Sequence, residues 1–157
     1  MTSLPRENVQ SYPRPPSLEP VPQPIEIRLG GLLVALTVRA FRVLETHHAP
    51  TYYLPPEDIH ATLLPAVGSS FCEWKGVARY FDVIAGKTTA KRAAWCYDEP
   101  SPSFAPLAGF IAFYAGLMED CRVGDTRVLA QPGDFYGGWG TPNLDGIVKG
   151  APGTRHW

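Results

Sequence analysis

The stretch VARYFDVIAGKTTAKRAAWCYD (77–98) decides the fold. It reads as two strands that meet around Gly86-Lys87. On the first arm Ala78, Tyr80, Asp82 and Ile84 share one face, with Val77, Arg79, Phe81 and Val83 opposite. On the second arm Ala93, Trp95 and Tyr97 oppose Ala94, Cys96 and Asp98. Alternation of this kind is a strand signal, because successive strand side chains point to opposite faces.

The same pattern recurs upstream. IEIRLGGLLVALT (25–37) reads as two strands around Gly30-Gly31, where a glycine pair supplies the positive φ of a two-residue turn. Ile25, Ile27 and Leu29 alternate with Glu26 and Arg28, the mark of a sheet with one wet face. In AFRVLET (40–46), Phe41, Val43 and Glu45 fall on one face, which puts a carboxylate at or near a buried surface. TYYLP (51–55) is short and aromatic. Pro55-Pro56 bars a helix there, and PEDIHATLLP (56–65) reads as a turn and a further strand. A helix is expected over 103–109 with Ser103 as its cap. GFIAFYAGLM (109–118) suits either its extension or a buried strand. The predicted class is mainly β, with curved antiparallel sheets and one short helix.

Composition divides the chain into three. Residues 1–24 hold seven of the 17 prolines, so extended polyproline is expected, either as a tail or as a strap with Tyr12 and Leu18 as docking points. Residues 25–130 form the β-rich core domain. Residues 131–157 form an extension; its part from 133 onward carries seven glycines and two prolines, too many for regular structure. Phe135, Tyr136, Trp139, Ile147, Val148 and Trp157 make it too apolar for a free tail, so it is expected to pack on the core.

Charge and cysteine usage exclude several functions. With 14 basic and 15 acidic residues and no basic run, no global field recruits nucleic acid, and no nucleic-acid partner is expected. No apolar run approaches the roughly 18–20 residues that span a bilayer, and MTSLPREN lacks the features of a signal peptide, so no membrane role and a cytoplasmic location are expected. Cys72, Cys96 and Cys121 are odd in number and contain no C-x-x-C pair, which argues against a disulfide framework and a zinc site. Phosphate-cradling loops, G-x-S-x-G and H-E-x-x-H are absent, and no cofactor or metal is expected.

What remains is a short set of candidates. In CEWKG (72–76), Lys75 can favour the Cys72 thiolate if the turn brings the two heads together; otherwise Cys72 is an inert buried thiol. Tyr52, Tyr53, Tyr80, Trp95, Tyr97 and Tyr114 can form core or line a pocket that stacks a planar ligand, with Glu45 and Lys75 orienting it.

These residues also carry a resemblance. E-x-x-H-x-P-x-Y-Y-x-P-P-E-D from Glu45, C-x-x-K-G-x-A-x-Y from Cys72 and W-x-Y from Trp95 resemble the domain of unknown function 427 family. The Gly-rich C-terminus resembles that of a longer subgroup. The resemblance implies a β-tent-like fold and carries a nucleotidyltransferase-like label, although the sequence lacks the paired acidic residues that would hold Mg²⁺ for that reaction. It also implies Glu45, His48, Tyr52, Tyr53, Pro55, Asp58, Cys72, Lys75, Gly76, Tyr80, Trp95 and Tyr97 as signature positions. The resulting expectation is a small-molecule pocket. Cys72, Lys75 and Glu45 are its candidate catalytic groups; His48, Tyr52, Tyr53, Tyr80, Trp95 and Tyr97 are its candidate ligand-binding groups. The alternative is a non-catalytic assembly module whose terminal segments strap two subunits into a homodimer.

Overall fold

The computed structural model describes residues 2–132 and 136–154. Phe135 and Trp157, two of the apolar residues expected to hold the C-terminal extension down, lie outside the described residues. The protein is mainly β, built from antiparallel sheets that do not close into a barrel.

The hairpin of 77–98 forms as Gly76–Ala85 and Thr88–Cys96, the centre of a four-stranded sheet flanked by Thr62–Cys72 and Ile111–Phe113. A second four-stranded sheet takes the order Thr126–Arg127, Asp120–Val123, Ile25–Leu29, Leu32–Thr37. Ile25, Ile27 and Leu29 are its buried row, and Arg28 faces water, as the alternation requires. A third sheet joins Ser17–Pro20, Phe41–Leu44 and Thr51–Tyr53. It is tied to the first by reciprocal hydrogen bonds of 2.8 Å between Leu54 and Ile111.

The central strands of the first sheet are covered on both faces, by two separate clusters. Phe81, Val83, Ala93, Ala94 and Cys96 pack with Ile25, Ile27, Val34 and Leu54 in the main core. Ala78, Tyr80, Trp95 and Tyr97 point the other way, into an aromatic cluster with Val43, Tyr53, Phe104 and Leu107. Burying each large side chain in these clusters contributes about 1.5–3 kcal/mol.

The short helix takes a tighter form than expected. Pro102–Leu107 is a 3₁₀ segment with non-helical angles at Phe104, and its flanking Ser101 makes no side-chain cap. Pro102 and Pro106 lack the N–H donors that an α-helix needs, so the chain turns tightly and inserts Phe104 and Leu107 into the aromatic cluster. GFIAFYAGLM resolves to the buried strand Ile111–Phe113.

The N-terminal segment is not an extended polyproline arm throughout. Ser17–Pro20 pairs with Phe41–Leu44, and Glu7–Asn8 pairs in parallel with Leu144–Asp145. Val9 is fully buried, in a small cluster with Tyr12 and Leu44. Thus residues near both ends of the chain meet on one side of the body.

Candidate functional site

The turn CEWKG closes the hairpin between Thr62–Cys72 and Gly76–Ala85, with Cys72 paired to Gly76. Lys75 N–H donates to the Cys72 carbonyl at 3.3 Å, and Gly76 adopts a φ of +110° that an L side chain rarely takes. Ser101 pins the turn from outside: its N–H donates to Lys75 O at 3.0 Å and its hydroxyl to Trp74 O. Fixed in this way, Lys75 is only 8% exposed. Its Nζ lies 5.8 Å from the centre of the Tyr97 ring and 5.9 Å from that of Phe104. No carboxylate pairs with it among the described residues.

The turn forms one wall of a cavity of about 390 Å³. Eight of the nine candidate residues line it: Glu45, His48, Tyr53, Cys72, Lys75, Tyr80, Trp95 and Tyr97. Strand alternation explains why they converge. Phe41 and Val43 enter the aromatic cluster, so Glu45, next on the same side, arrives at the cavity. Trp95 and Tyr97 arrive from the second arm of the central hairpin.

Tyr52 does not join them. It sits on the opposite face of Thr51–Tyr53, where it stacks on Trp139 with ring centres 5.0 Å apart and belongs to the main core. Adjacent strand residues cannot share a face, so only one tyrosine of the pair reaches the cavity.

The walls are mostly phenol and indole. The Tyr53 ring meets Trp95 edge-on at 6.4 Å and Tyr97 at 6.3 Å, and Trp95 packs on Tyr114 at 4.6 Å. Burial pushes the Tyr53 phenol above its ordinary range, against the pull of its side-chain contacts with Trp95 and Tyr97. Burial does the same to Tyr97, more strongly than the Lys75 charge lowers it. Both phenols are therefore neutral and able to donate hydrogen bonds at neutral pH.

Glu45 and His48 form the polar side. His48 Nδ1 donates to the Thr46 carbonyl at 2.9 Å, so its proton is on Nδ1 and Nε2 carries the free lone pair. Burial lowers the His48 pKa and outweighs the opposing charge of Glu45, whose Oε2 lies 4.0 Å from Nδ1. The imidazole is neutral near pH 7. Glu45 is also 4.0 Å from Arg14 of the N-terminal segment. Among the described residues no group of three or more His, Cys, Asp or Glu side chains is placed to hold a metal ion.

Cys72 is partly exposed in this cavity, whereas Cys96 and Cys121 are buried. Burial pushes the Cys96 thiol up to about 11 and that of Cys121 up to about 12, so both are inert.

Ser70 joins the site without having been among the sequence candidates, and Tyr114, one of the six aromatics that could line a pocket, lines it as well. Tyr80 and Ser70 share a hydroxyl hydrogen bond of 2.8 Å. Both, with Tyr114, also line a larger adjoining cavity of about 830 Å³. Tyr114 was visible as one more aromatic next to a buried strand. Ser70 carried no sequence signal.

A family model described as a domain of unknown function (DUF427) matches residues 17–124, which include all nine candidate residues. No curated protein matches the chain. The chain belongs to the DUF427 family.

Proposed function

We propose that this member of the DUF427 family is a small-molecule-binding domain whose ligand is a compact planar acid held in the 390 Å³ cavity. The observation that carries the reading is Lys75: a buried ammonium that faces aromatic rings and has no carboxylate partner among the described residues. A buried cation without a counter-charge is costly, and an anionic ligand would remove that cost. The volume and the aromatic walls with a few convergent polar groups fit a ligand site.

In this reading Lys75 pairs with the ligand's acidic group while Trp95 and Tyr97 contact its ring. Neutral phenols of Tyr53 and Tyr97 supply donors, and Glu45 and His48 Nε2 supply acceptors at the opposite side. Cys72 stands close enough to report occupancy. A covalent or acid–base step would draw on Cys72 as nucleophile or on Lys75, and ligand binding is the prior requirement for either.

A thermal-shift screen with small aromatic carboxylates tests the reading. At least one of them should raise the melting temperature of the native protein and slow modification of Cys72 by a thiol reagent, and Lys75→Met should remove both effects. A screen in which no aromatic acid stabilises the protein or protects Cys72 would overturn it.

A further inference from the structure

The central hairpin contains a distortion that alternation alone does not explain. Pairing between its two strands shifts register between Phe81 and Val83, and opposite that shift Arg92 adopts a φ of +46°. A left-handed arginine inside a strand is strained by about 1–3 kcal/mol and persists only where its surroundings hold it. Here Asp82 holds it. The Asp82 carboxylate accepts the Arg92 backbone N–H at 2.9 Å, an interaction that also keeps that carboxyl below its usual range.

The bulge redirects the side chain. Arg92 Cζ lies 4.1 Å from the centre of the Tyr80 ring. The strand Thr62–Cys72, on the other side of Gly76–Ala85, has its own irregularity between Pro65 and Ser69, and Gly68 within it, at a φ of +96°, lies beside the guanidinium: a Cβ built there would be in ordinary contact with Nη1 at 3.8 Å. Bulges beside sites commonly re-aim a side chain in this way. The result is an arginine at the wall of the 830 Å³ cavity, which Ser69 and Ser70 also line. Lys91 and Arg92 line that cavity, and among the described residues no carboxylate does. Lys91 is paired with Asp82 at 3.4 Å, whereas Arg92 has no carboxylate partner among the described residues.

We infer that Arg92 is the anchor of a second, oxyanion-binding subsite in the larger cavity, one that takes a phosphoryl or carboxylate group. A guanidinium presents two parallel N–H donors to an oxyanion, and its seat over the Tyr80 ring restricts where it can move. The subsite extends the reading of the Lys75 cavity without depending on it. Tyr80 is common to both: its ring lies under Arg92, its hydroxyl bonds Ser70, and it lines both cavities. A ligand that fills both would carry an acidic group at each end.

The test uses the full chain and two probes, pyrophosphate and malonate, titrated calorimetrically at constant ionic strength with chloride as control. Arg92→Gly is the decisive variant, because glycine accepts the left-handed backbone and keeps the N–H that Asp82 holds. Its fold should be intact and its melting temperature equal to or above that of the native protein. At least one probe should bind the native protein above the chloride control, lose tenfold or more in affinity with Arg92→Gly, and keep its affinity within twofold with Lys75→Met. Pyrophosphate preferred over malonate assigns a phosphoryl group, and the reverse a carboxylate. Absence of binding above chloride, equal binding by Arg92→Gly, or a loss confined to Lys75→Met would each overturn the inference. The last outcome would leave the Lys75 cavity as the anion site.

Discussion

Lys75 Nζ stands 5.8 Å from the centre of the Tyr97 ring, at the mouth of a turn that Ser101 holds in place. The relationship ties a local sequence feature to a tertiary one. CEWKG by itself makes a hairpin turn; the W-x-Y strand and Phe104 of the 3₁₀ segment turn its lysine into a buried cation facing rings.

Thiol chemistry gives the first prediction. Cys72 is the accessible thiol, and the thiols of Cys96 and Cys121 are raised by burial. The native protein should therefore titrate one cysteine with an aromatic disulfide reagent and three after denaturation. Cys72→Ala should leave none reactive in the native state. Fast labelling of two or more thiols would show that the main core is open.

The N-terminal segment should matter for stability through Arg42. Its guanidinium donates to Glu7 Oε1 and Oε2 at 3.0 and 2.8 Å, and also bonds Glu19. Burial acts to raise the Glu7 pKa, but the hydrogen bonds from Arg42 and Tyr12 and the Arg42 charge outweigh it, so it is lowered from 4.5. A depressed folded value means that the stabilisation is present above about pH 4.5 and lost as pH falls through the folded value. Glu7→Gln should cost about 1–2 kcal/mol at pH 7 in urea melts, a partly buried charge-assisted pair. The gap to the native protein should narrow below pH 4.5. A gap that widens in acid would contradict the pairing.

Alkaline titration probes the buried phenols. Burial is the leading cause of raised pKa values at Tyr12, Tyr52, Tyr53, Tyr97 and Tyr114. Groups raised above their unfolded value of 10.0 stabilise the fold below that pH and withdraw the contribution as pH climbs. Tyrosinate absorbance from these residues should appear together with loss of near-ultraviolet circular dichroism. Smooth ionisation of all seven tyrosines around pH 10 with the dichroism intact would contradict their burial.

Gly137 links the C-terminal extension to the aromatic cluster. It has a φ of +72°, and a Cβ there would lie 2.4 Å from Trp95 Cη2. Gly137→Ala should destabilise the protein by about 2 kcal/mol or more, from backbone strain and overpacking together. Displacement of Trp95 should shift the tryptophan fluorescence. A neutral substitution would mean that the extension does not press on the cavity wall.

Much of this architecture was legible because period-two patterning is local. The two glycine-centred hairpins and the buried row Ile25, Ile27, Leu29 follow from alternation alone. The length of Thr62–Cys72 did not, since Pro65 and Gly68 interrupt its pattern and most of its side chains are exposed. The 3₁₀ segment was read as a helix capped at Ser103 because the weight of Pro102 and Pro106 lies in donors they lack, not in any periodic signal. Tyr52 and Tyr53 are alike as aromatics, but strand alternation separates them, because neighbours on a strand face opposite ways. Arg92 was invisible: a left-handed residue inside a strand depends on the Asp82 carboxylate opposite, and sequence spacing does not encode that contact.

The most direct test of the central claim is calorimetric titration of native and Lys75→Met protein with the aromatic acid that stabilises the native chain most. Loss of the charge-assisted contact should weaken binding by about 1.5–3 kcal/mol, roughly tenfold to a hundredfold, with the melting temperature of the free variant little changed or raised. Equal affinity in the two proteins would contradict the account.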